Sequence, residues 1–134
     1  MNIWKIIMLG MLVMHGLGHI TGFLTAWIKL PMGFTEKPWI FSSGVTMYSV
    51  LGKVFGLIWL AAMVLFLLAA YNLFTGQAVW LTYAVLASVC SLIVILPWAK
   101  TVVPGALYGG TIANLVILLI AFGPWKDKIL DLLK

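Results

Sequence analysis

Four long apolar stretches constrain this chain more than any other feature of its sequence. They cover approximately residues 3–28, 53–74, 79–98 and 103–122, and none of them contains Asp or Glu. A helix needs about 20 predominantly apolar residues to cross a hydrocarbon core that is roughly 30 Å thick. The sequence therefore predicts an all-α integral membrane bundle of four transmembrane helices. Trp80 and Trp98 lie at the two ends of the third stretch, which predicts that they anchor it at the membrane interfaces.

The composition agrees with a lipid environment. Of the 134 residues, 64% are hydrophobic and 8% are charged, whereas about a quarter of the residues of an ordinary soluble domain are charged. A small soluble domain is mostly surface, and that surface must be hydrated. The apolar surplus must face lipid instead, so we expect a multi-pass protein of the cell membrane whose main partner is the bilayer.

The basic residues do not indicate a nucleic-acid partner. All eight are lysines, and they occur singly along the chain rather than as a stripe. Proteins that bind nucleic acid cluster their basic residues on one face. Because these lysines are scattered, the net charge of +5 does not indicate a nucleic-acid partner, and we expect none.

The connections between the stretches predict a single domain, residues 1–134, with up-down-up-down topology. Residues 75–77 form only a tight turn, which makes the second and third helices an antiparallel hairpin. The connection 29–52 is rich in aromatic residues, so we expect it to lie at the membrane interface or to cap one end of the bundle. The tail, 125–134, predicts a short interfacial helix.

Lysines are divided evenly between the two sides that this topology defines. The positive-inside rule therefore gives no orientation. Lys5, Lys126, Lys128 and Lys134 fall on the side of the chain ends, and Lys29, Lys37, Lys53 and Lys100 fall on the other side.

The first helix contains the strongest local signal, a pair of histidines near its middle. The apolar run is about ten residues longer than that of an ordinary signal peptide, so we expect a membrane helix rather than a cleaved leader. At about 100° per residue the two imidazoles share one face. That face, which we expect to look into the bundle, contains Trp4, Met8, Met11, His15, Gly18, His19 and Gly22. The opposite face, which we expect to meet lipid, contains Ile6, Leu9, Val13, Leu17, Ile20 and Leu24.

The histidine pair allows a functional and a structural interpretation. Neutral imidazoles four residues apart can direct two nitrogens at one metal ion, although the glutamate of zinc-protease helices is missing here. One hypothesis is a ligand, metal or proton site built on His15 and His19, with Asn114 and Thr111 as partners. In a copper(I) version of that site, Met11 and Met8 would add thioether ligands. The structural interpretation is interhelical hydrogen bonding to Thr111, Asn114, Ser88 or Ser91.

Small residues recur at intervals of four on several of the predicted helices. Such spacing is typical of close helix packing in membranes. The residues concerned are Gly18, Gly22, Gly52, Gly56, Gly105, Gly109 and Ala113. They support a second hypothesis, in which the chain is an accessory or scaffold subunit that forms a homo-oligomer or docks into a larger membrane complex.

The two hypotheses predict different interiors. A ligand site predicts a polar cavity at mid-membrane depth, whereas a scaffold predicts fully bonded histidines without a cavity. A third hypothesis, a membrane enzyme, ranks last because the sequence contains no visible nucleophile–base pair.

Three segments together carry a resemblance: residues 15–23 with the His-Gly-x-x-His box, residues 56–62, and residues 110–114. They resemble an uncharacterised family of small bacterial four-helix membrane proteins, sometimes loosely labelled permease-like. Where members of that family carry Asp-Ala-Lys before the last segment, this chain has Trp98-Ala99-Lys100 and a longer insert. The resemblance implies a four-helix membrane fold and no particular activity. A likeness of fold alone extends to DoxX-type proteins.

Overall fold

The computed structural model describes residues 1–133, and this part of the chain is all-helical. Apart from one isolated antiparallel bridge between Phe34 and Val102, it contains no β-structure. The helices are α1 (Ile3–Gly18), α2 (Ile20–Ile28), α3 (Val50–Phe74), α4 (Trp80–Ile95), α5 (Pro104–Phe122) and α6 (Lys126–Leu132).

The first apolar stretch is not one continuous helix, as the sequence predicted, but two helices that meet at His19. The backbone N–H of His19 donates to the carbonyl of Gly16 at 3.0 Å, and the N–H of Gly22 donates to the carbonyl of His19 at 3.3 Å. Bonds over three residues tighten the helix into a 3₁₀-type turn. The side chains before and after this turn are equally apolar, so the hydrophobic pattern of the sequence gives no sign of the break.

Three helical segments are long and apolar enough to cross a membrane: Ile3–Ile28, which comprises α1 and α2, together with α3 and α5. The predicted third span, residues 79–98, is shorter than expected, because α4 has 16 residues and ends at Ile95. Pro97 follows the helix end and has no N–H to continue the ladder. Residues 96–101 form a turn instead, in which the N–H of Thr101 donates to the carbonyl of Trp98 at 2.8 Å.

Helix α3 is the centre of the packing. It packs against α1 and α2 on one side and against α4 on the other, and α4 then packs against α5. Helices α1 and α5 touch only over a short stretch. The arrangement therefore leaves a seam between α1 and α5 that helix–helix packing does not close.

The sequence interpretation of Trp80 and Trp98 as interfacial anchors is wrong. Trp98 is fully buried and Trp80 is 5% exposed. The ring of Trp98 lies 5.9 Å from the ring of Trp39 and 6.0 Å from that of Phe55, in edge-on contacts. Tryptophan at the end of an apolar run is typical of a membrane interface, but here the folded connection 29–49 covers that end of the bundle.

That connection is held to the α4–α5 turn by hydrogen bonds. The backbone N–H of Thr35 donates to the carbonyl of Thr101 at 2.8 Å, and the Thr101 hydroxyl donates to the carbonyl of Lys37 at 2.7 Å. At the other end of the bundle, the Asn2 side-chain amide donates to the carbonyl of Leu132 at 2.8 Å. The start of α1 and the end of α6 therefore lie together, opposite the connection.

The glycines predicted to mediate packing fall into two groups. At Gly22, Gly52 and Gly56 an added Cβ would collide with the Trp59 ring, with loop backbone and with Ala26, respectively. At the other three an added Cβ would meet no heavy atom within 4 Å, so these make no close contact within the chain; they are Gly18, Gly105 and Gly109. Ala113 is half-buried on α5.

We predict that Gly22→Ala destabilises the fold, because the new methyl group would overlap the base of the buried Trp59 ring. The free energy of unfolding should fall by about 1–3 kcal/mol, as for other overpacked sites. Gly10→Ala is the matched control, since Gly10 lies in α1 with open space around it. Thermal unfolding of both variants in detergent tests this, and equal effects would contradict the packing role of Gly22.

Candidate functional site

A hydrogen bond between His15 of α1 and Asn114 of α5 crosses the otherwise loosely packed seam. The Nε2 atom of His15 lies 3.0 Å from Oδ1 of Asn114. Asn114 is fully buried, although its amide sits midway along a helix of apolar residues. A buried amide without partners would cost free energy, so its bonds constrain where the neighbouring side chains lie.

Ser91 of α4 joins this pair to the second histidine. Its hydroxyl oxygen lies 2.7 Å from Nδ2 of Asn114 and 2.7 Å from Nε2 of His19. Ser91 is itself fully buried. The hydroxyl is therefore the point at which the polar groups of the first stretch, α4 and α5 meet.

The break between α1 and α2 explains the remaining bond. Because the His19 N–H donates to Gly16, the carbonyl of His15 loses its usual helical partner. The imidazole Nδ1 of His19 lies 2.8 Å from this carbonyl oxygen and replaces the backbone donor. The kink and the orientation of the His19 ring thus depend on one another.

The donors and acceptors of the network follow from this geometry for two neutral imidazoles. A carbonyl only accepts, so Nδ1 of His19 carries the hydrogen and Nε2 accepts from the Ser91 hydroxyl. Ser91 then accepts from Nδ2 of Asn114, and Oδ1 of Asn114 accepts from Nε2–H of His15. The reverse amide orientation would require the single Ser91 proton to serve two acceptors. What remains is Nδ1 of His15, an acceptor without a partner among residues 1–133.

Aromatic rings hold the two imidazoles in place. The His15 ring lies edge-on to the Phe66 ring at 4.6 Å between centroids, and the His19 ring lies 5.2 Å from the Trp59 ring. The two imidazoles are also edge-on to each other at 4.7 Å. Both supporting rings belong to α3, which explains how the central helix fixes a site whose polar atoms come from other helices.

A cavity of about 370 Å³ lies beside the histidines, at the seam between α1 and α5. Besides His15 and His19, its walls are mostly apolar or small, and several of the lining residues are exposed on the outside of the bundle. The lining residues, buried and exposed together, include Met14, Gly18, Phe34, Trp59, Gly105 and Gly109. Pockets of this size, apolar with few polar groups, are typical of small-molecule sites.

The structure brings together some of the candidate residues and separates others. His15, His19 and Asn114 form one network, whereas the Thr111 hydroxyl is buried without a partner. Met8 and Met11 pack against the apolar cluster around Leu12 and Phe66. Of the three methionines in α1 it is Met14, which the sequence did not place on the histidine face, that lines the cavity.

The sequence predicts Ser91 only as one of several hydrogen-bond partners of the histidines, and no pattern in it marks Phe34 or Trp59 as part of the site. The serine lies 72 residues from His19 along the chain, and no local pattern marks it as the junction. Phe34 lies in the connection between α2 and α3, and its ring packs edge-on to Trp59 at 5.4 Å. An aromatic residue in such a connection is typical of the membrane interface, and the sequence does not indicate that its ring lines a cavity.

The side chains at this site do not fit a metal ion well. Within residues 1–133, no group of three or more His, Cys, Asp and Glu side chains is placed to hold one. Both ring nitrogens of His19 are already engaged, which leaves a single imidazole nitrogen, Nδ1 of His15. Stable sites for zinc and similar ions use three or four protein ligands.

Comparisons with known proteins give this chain no relative: no family model, curated protein or solved structure matches it. The resemblance of the histidine box to a family of small four-helix membrane proteins therefore stays a prediction.

We predict that Ser91→Ala destabilises the protein far more than Ser88→Ala. Removing the Ser91 hydroxyl leaves two buried polar atoms unpaired, at a cost of about 1–3 kcal/mol in the free energy of unfolding. Ser88 is equally buried on the same helix, but its hydroxyl has no partner to lose. Unfolding of both variants in detergent measures the difference. Comparable losses would show that the network is not stabilising.

Proposed function

We propose that this chain is a multi-pass protein of the cell membrane that binds a small, largely apolar organic molecule in the cavity beside His15. The molecule should carry a hydroxyl or N–H group that donates to Nδ1 of the imidazole. The observation that carries the proposal is the pairing of one unpartnered ring nitrogen with an apolar cavity of about 370 Å³. A few placed polar groups in an apolar pocket are what fixes a ligand's orientation.

The transmembrane arrangement that accompanies this proposal has four spans in up-down-up-down order. Three segments have the required length, and α4 supplies the fourth because it packs between α3 and α5 along the bundle. A helix of 16 residues is about 24 Å long, so the turn at 96–101 would lie inside the interfacial region. In this arrangement the cavity opens sideways, which allows a lipid-soluble molecule to enter from the bilayer.

Proton transfer is a weaker interpretation of the same residues. The network runs from His15 through Asn114 and Ser91 to His19, and it ends on the backbone carbonyl of His15. Neither an amide nor a backbone carbonyl passes a proton on readily, so the chain of bonds has no exit. The arrangement supports a fixed acceptor that binds a ligand better than it supports a relay.

We predict that 4-octylphenol binds the purified protein more tightly than octylbenzene, because only the phenol can donate to His15. The hydroxyl should contribute about ten-fold in affinity, the effect of one satisfied hydrogen bond in an apolar pocket. Ligand-dependent thermal stabilisation in detergent measures the difference. Both compounds partition into micelles, so the comparison between them removes non-specific effects.

Cavity-filling variants provide the control for this prediction. Gly109→Leu should abolish the phenol-dependent stabilisation by occupying the cavity, since Gly109 lines it and an added Cβ meets nothing. Gly10→Leu, on an open part of α1 outside the cavity, should leave it intact. Equal stabilisation of the wild type and Gly109→Leu would contradict the proposed site.

A scaffold role is the second candidate, and the open glycines of α5 favour it. Gly105 and Gly109 are exposed and one turn apart, which is the spacing that allows a second helix to approach closely. If this surface joins two copies of the chain, Gly109→Leu lowers the oligomeric mass in detergent while Gly10→Leu does not. Because we propose ligand binding as the function, we expect both variants to have the same oligomeric mass as the wild type. A lower oligomeric mass for Gly109→Leu alone would favour the scaffold role.

A further inference from the structure

The end of the bundle where the chain begins holds a lysine whose side chain is mostly covered by protein. Lys5 is 9% exposed, and it is the only buried lysine among residues 1–133, although its ammonium nitrogen stays accessible. Its backbone N–H donates to the Asn2 side chain at 2.9 Å, but its ammonium group has no hydrogen-bond acceptor or carboxylate partner in that range. The stem of Lys5 is therefore packed against protein while its ammonium group remains free to meet a ligand, which is how a lysine lines a binding cavity.

The position of Lys5 in its own helix is unfavourable for a cation. It lies in the first turn of α1, which begins at Ile3. The N-terminus of a helix carries partial positive charge, so a cation is disfavoured there and an anion is favoured. The α1 helix dipole therefore does not explain a lysine at this position, whereas an anion bound next to it would.

A second cavity, of about 340 Å³, adjoins Lys5 and lies some distance from the histidine network. Its walls come from α1, from the end of α3, from the α3–α4 turn and from α6. The lining residues are Lys5, Leu73, Gly76, Gln77, Ala78, Trp80, Leu130 and Leu133. No carboxylate is among them, and Asp127 and Asp131 of α6 do not line it.

The start of α4 faces the same cavity. This helix of 16 residues begins at Trp80, and its N-cap residue, Val79, makes no side-chain hydrogen bond to the first turn. The residues just before and at the helix start, 77, 78 and 80, line the cavity. The backbone N–H of Trp80 already donates to the carbonyl of Gln77 at 3.1 Å, so what α4 offers to an anion in this cavity is the positive end of its helix dipole.

We propose that this cavity, which we call the Lys5 cavity, binds the phosphate group of an anionic molecule. The Lys5 ammonium group and the N-terminus of α4 would contact the phosphate, and Leu73, Leu130 and Leu133 would contact its apolar portion. The exposed tryptophans Trp4 and Trp125 lie at the same end of the chain's helices, as expected at headgroup depth. The same chemistry fits an anionic phospholipid headgroup and a soluble phosphate.

Native mass spectrometry of the detergent-solubilised full chain tests the lipid source. The probes are phosphatidylglycerol and phosphatidylcholine with identical acyl chains. Both lipids carry a phosphodiester, but the choline ammonium makes phosphatidylcholine neutral overall and would be repelled by the Lys5 ammonium. The wild type should therefore retain phosphatidylglycerol about ten-fold more than phosphatidylcholine. Lys5→Gln should remove this preference and Lys5→Arg should keep it. Lys128→Gln, which removes an exposed lysine of α6, should also keep it.

Inorganic phosphate tests the soluble source on the same variants. Broadening of its ³¹P resonance by the wild type, absent with Lys5→Gln, would support the site with a soluble phosphate as ligand. Ala78→Asp provides a second variant that does not remove Lys5. A carboxylate at this cavity-lining position should compete with phosphate and reduce binding of either probe about ten-fold.

Two outcomes would overturn the proposal. One is that Lys5→Gln binds phosphatidylglycerol and inorganic phosphate as well as the wild type does, or that the wild type binds neither of them. The other is that Lys128→Gln lowers binding as much as Lys5→Gln, because the effect would then be general attraction by surface charge. Failure at the histidine cavity is a separate result, since none of these variants touches its lining residues.

Discussion

The arrangement of the polar side chains around the histidines depends on the two hydrogen bonds of the Ser91 hydroxyl. This hydroxyl accepts from Asn114 of α5 and donates to His19, so one buried oxygen connects three parts of the chain. In a low-dielectric interior such bonds are strong, and leaving any member unpaired is costly. Helices α1 and α5 have little side-chain packing between them. Packing through α3 and α4 positions the two helices, the His15–Asn114 hydrogen bond joins them directly, and a cavity remains at the seam.

The proposed ligand sites differ in the chemistry that they offer. Beside the histidines, a neutral network leaves one acceptor, Nδ1 of His15, next to apolar walls, so the fitting molecule is a donor that dissolves in lipid. At the opposite end of α1, Lys5 offers a cation and α4 offers its N-terminus, so the fitting group is an anion. The first site would be reached from within the bilayer and the second from the level of the headgroups.

Much of the architecture could be predicted from the sequence, because long apolar runs leave a chain few ways to satisfy its backbone. The shared face of His15 and His19 also followed from helical periodicity. The break at His19 did not, since it depends on a side chain that replaces a backbone donor to the His15 carbonyl. Trp98 was misjudged because a tryptophan near a helix end looks the same whether lipid or a folded connection covers it.

The sequence by itself determined that this chain is helical, that it is rich in long apolar segments, and that the two imidazoles lie on one side of the first stretch. Those properties depend on composition and on neighbours within a few residues. Only the tertiary structure decided that Ser91 joins the network, that Gly18, Gly105 and Gly109 border open space, and that Lys5 is buried beside a cavity. These depend on how helices rotate and approach one another, and contacts between distant residues leave no periodic signal in one sequence.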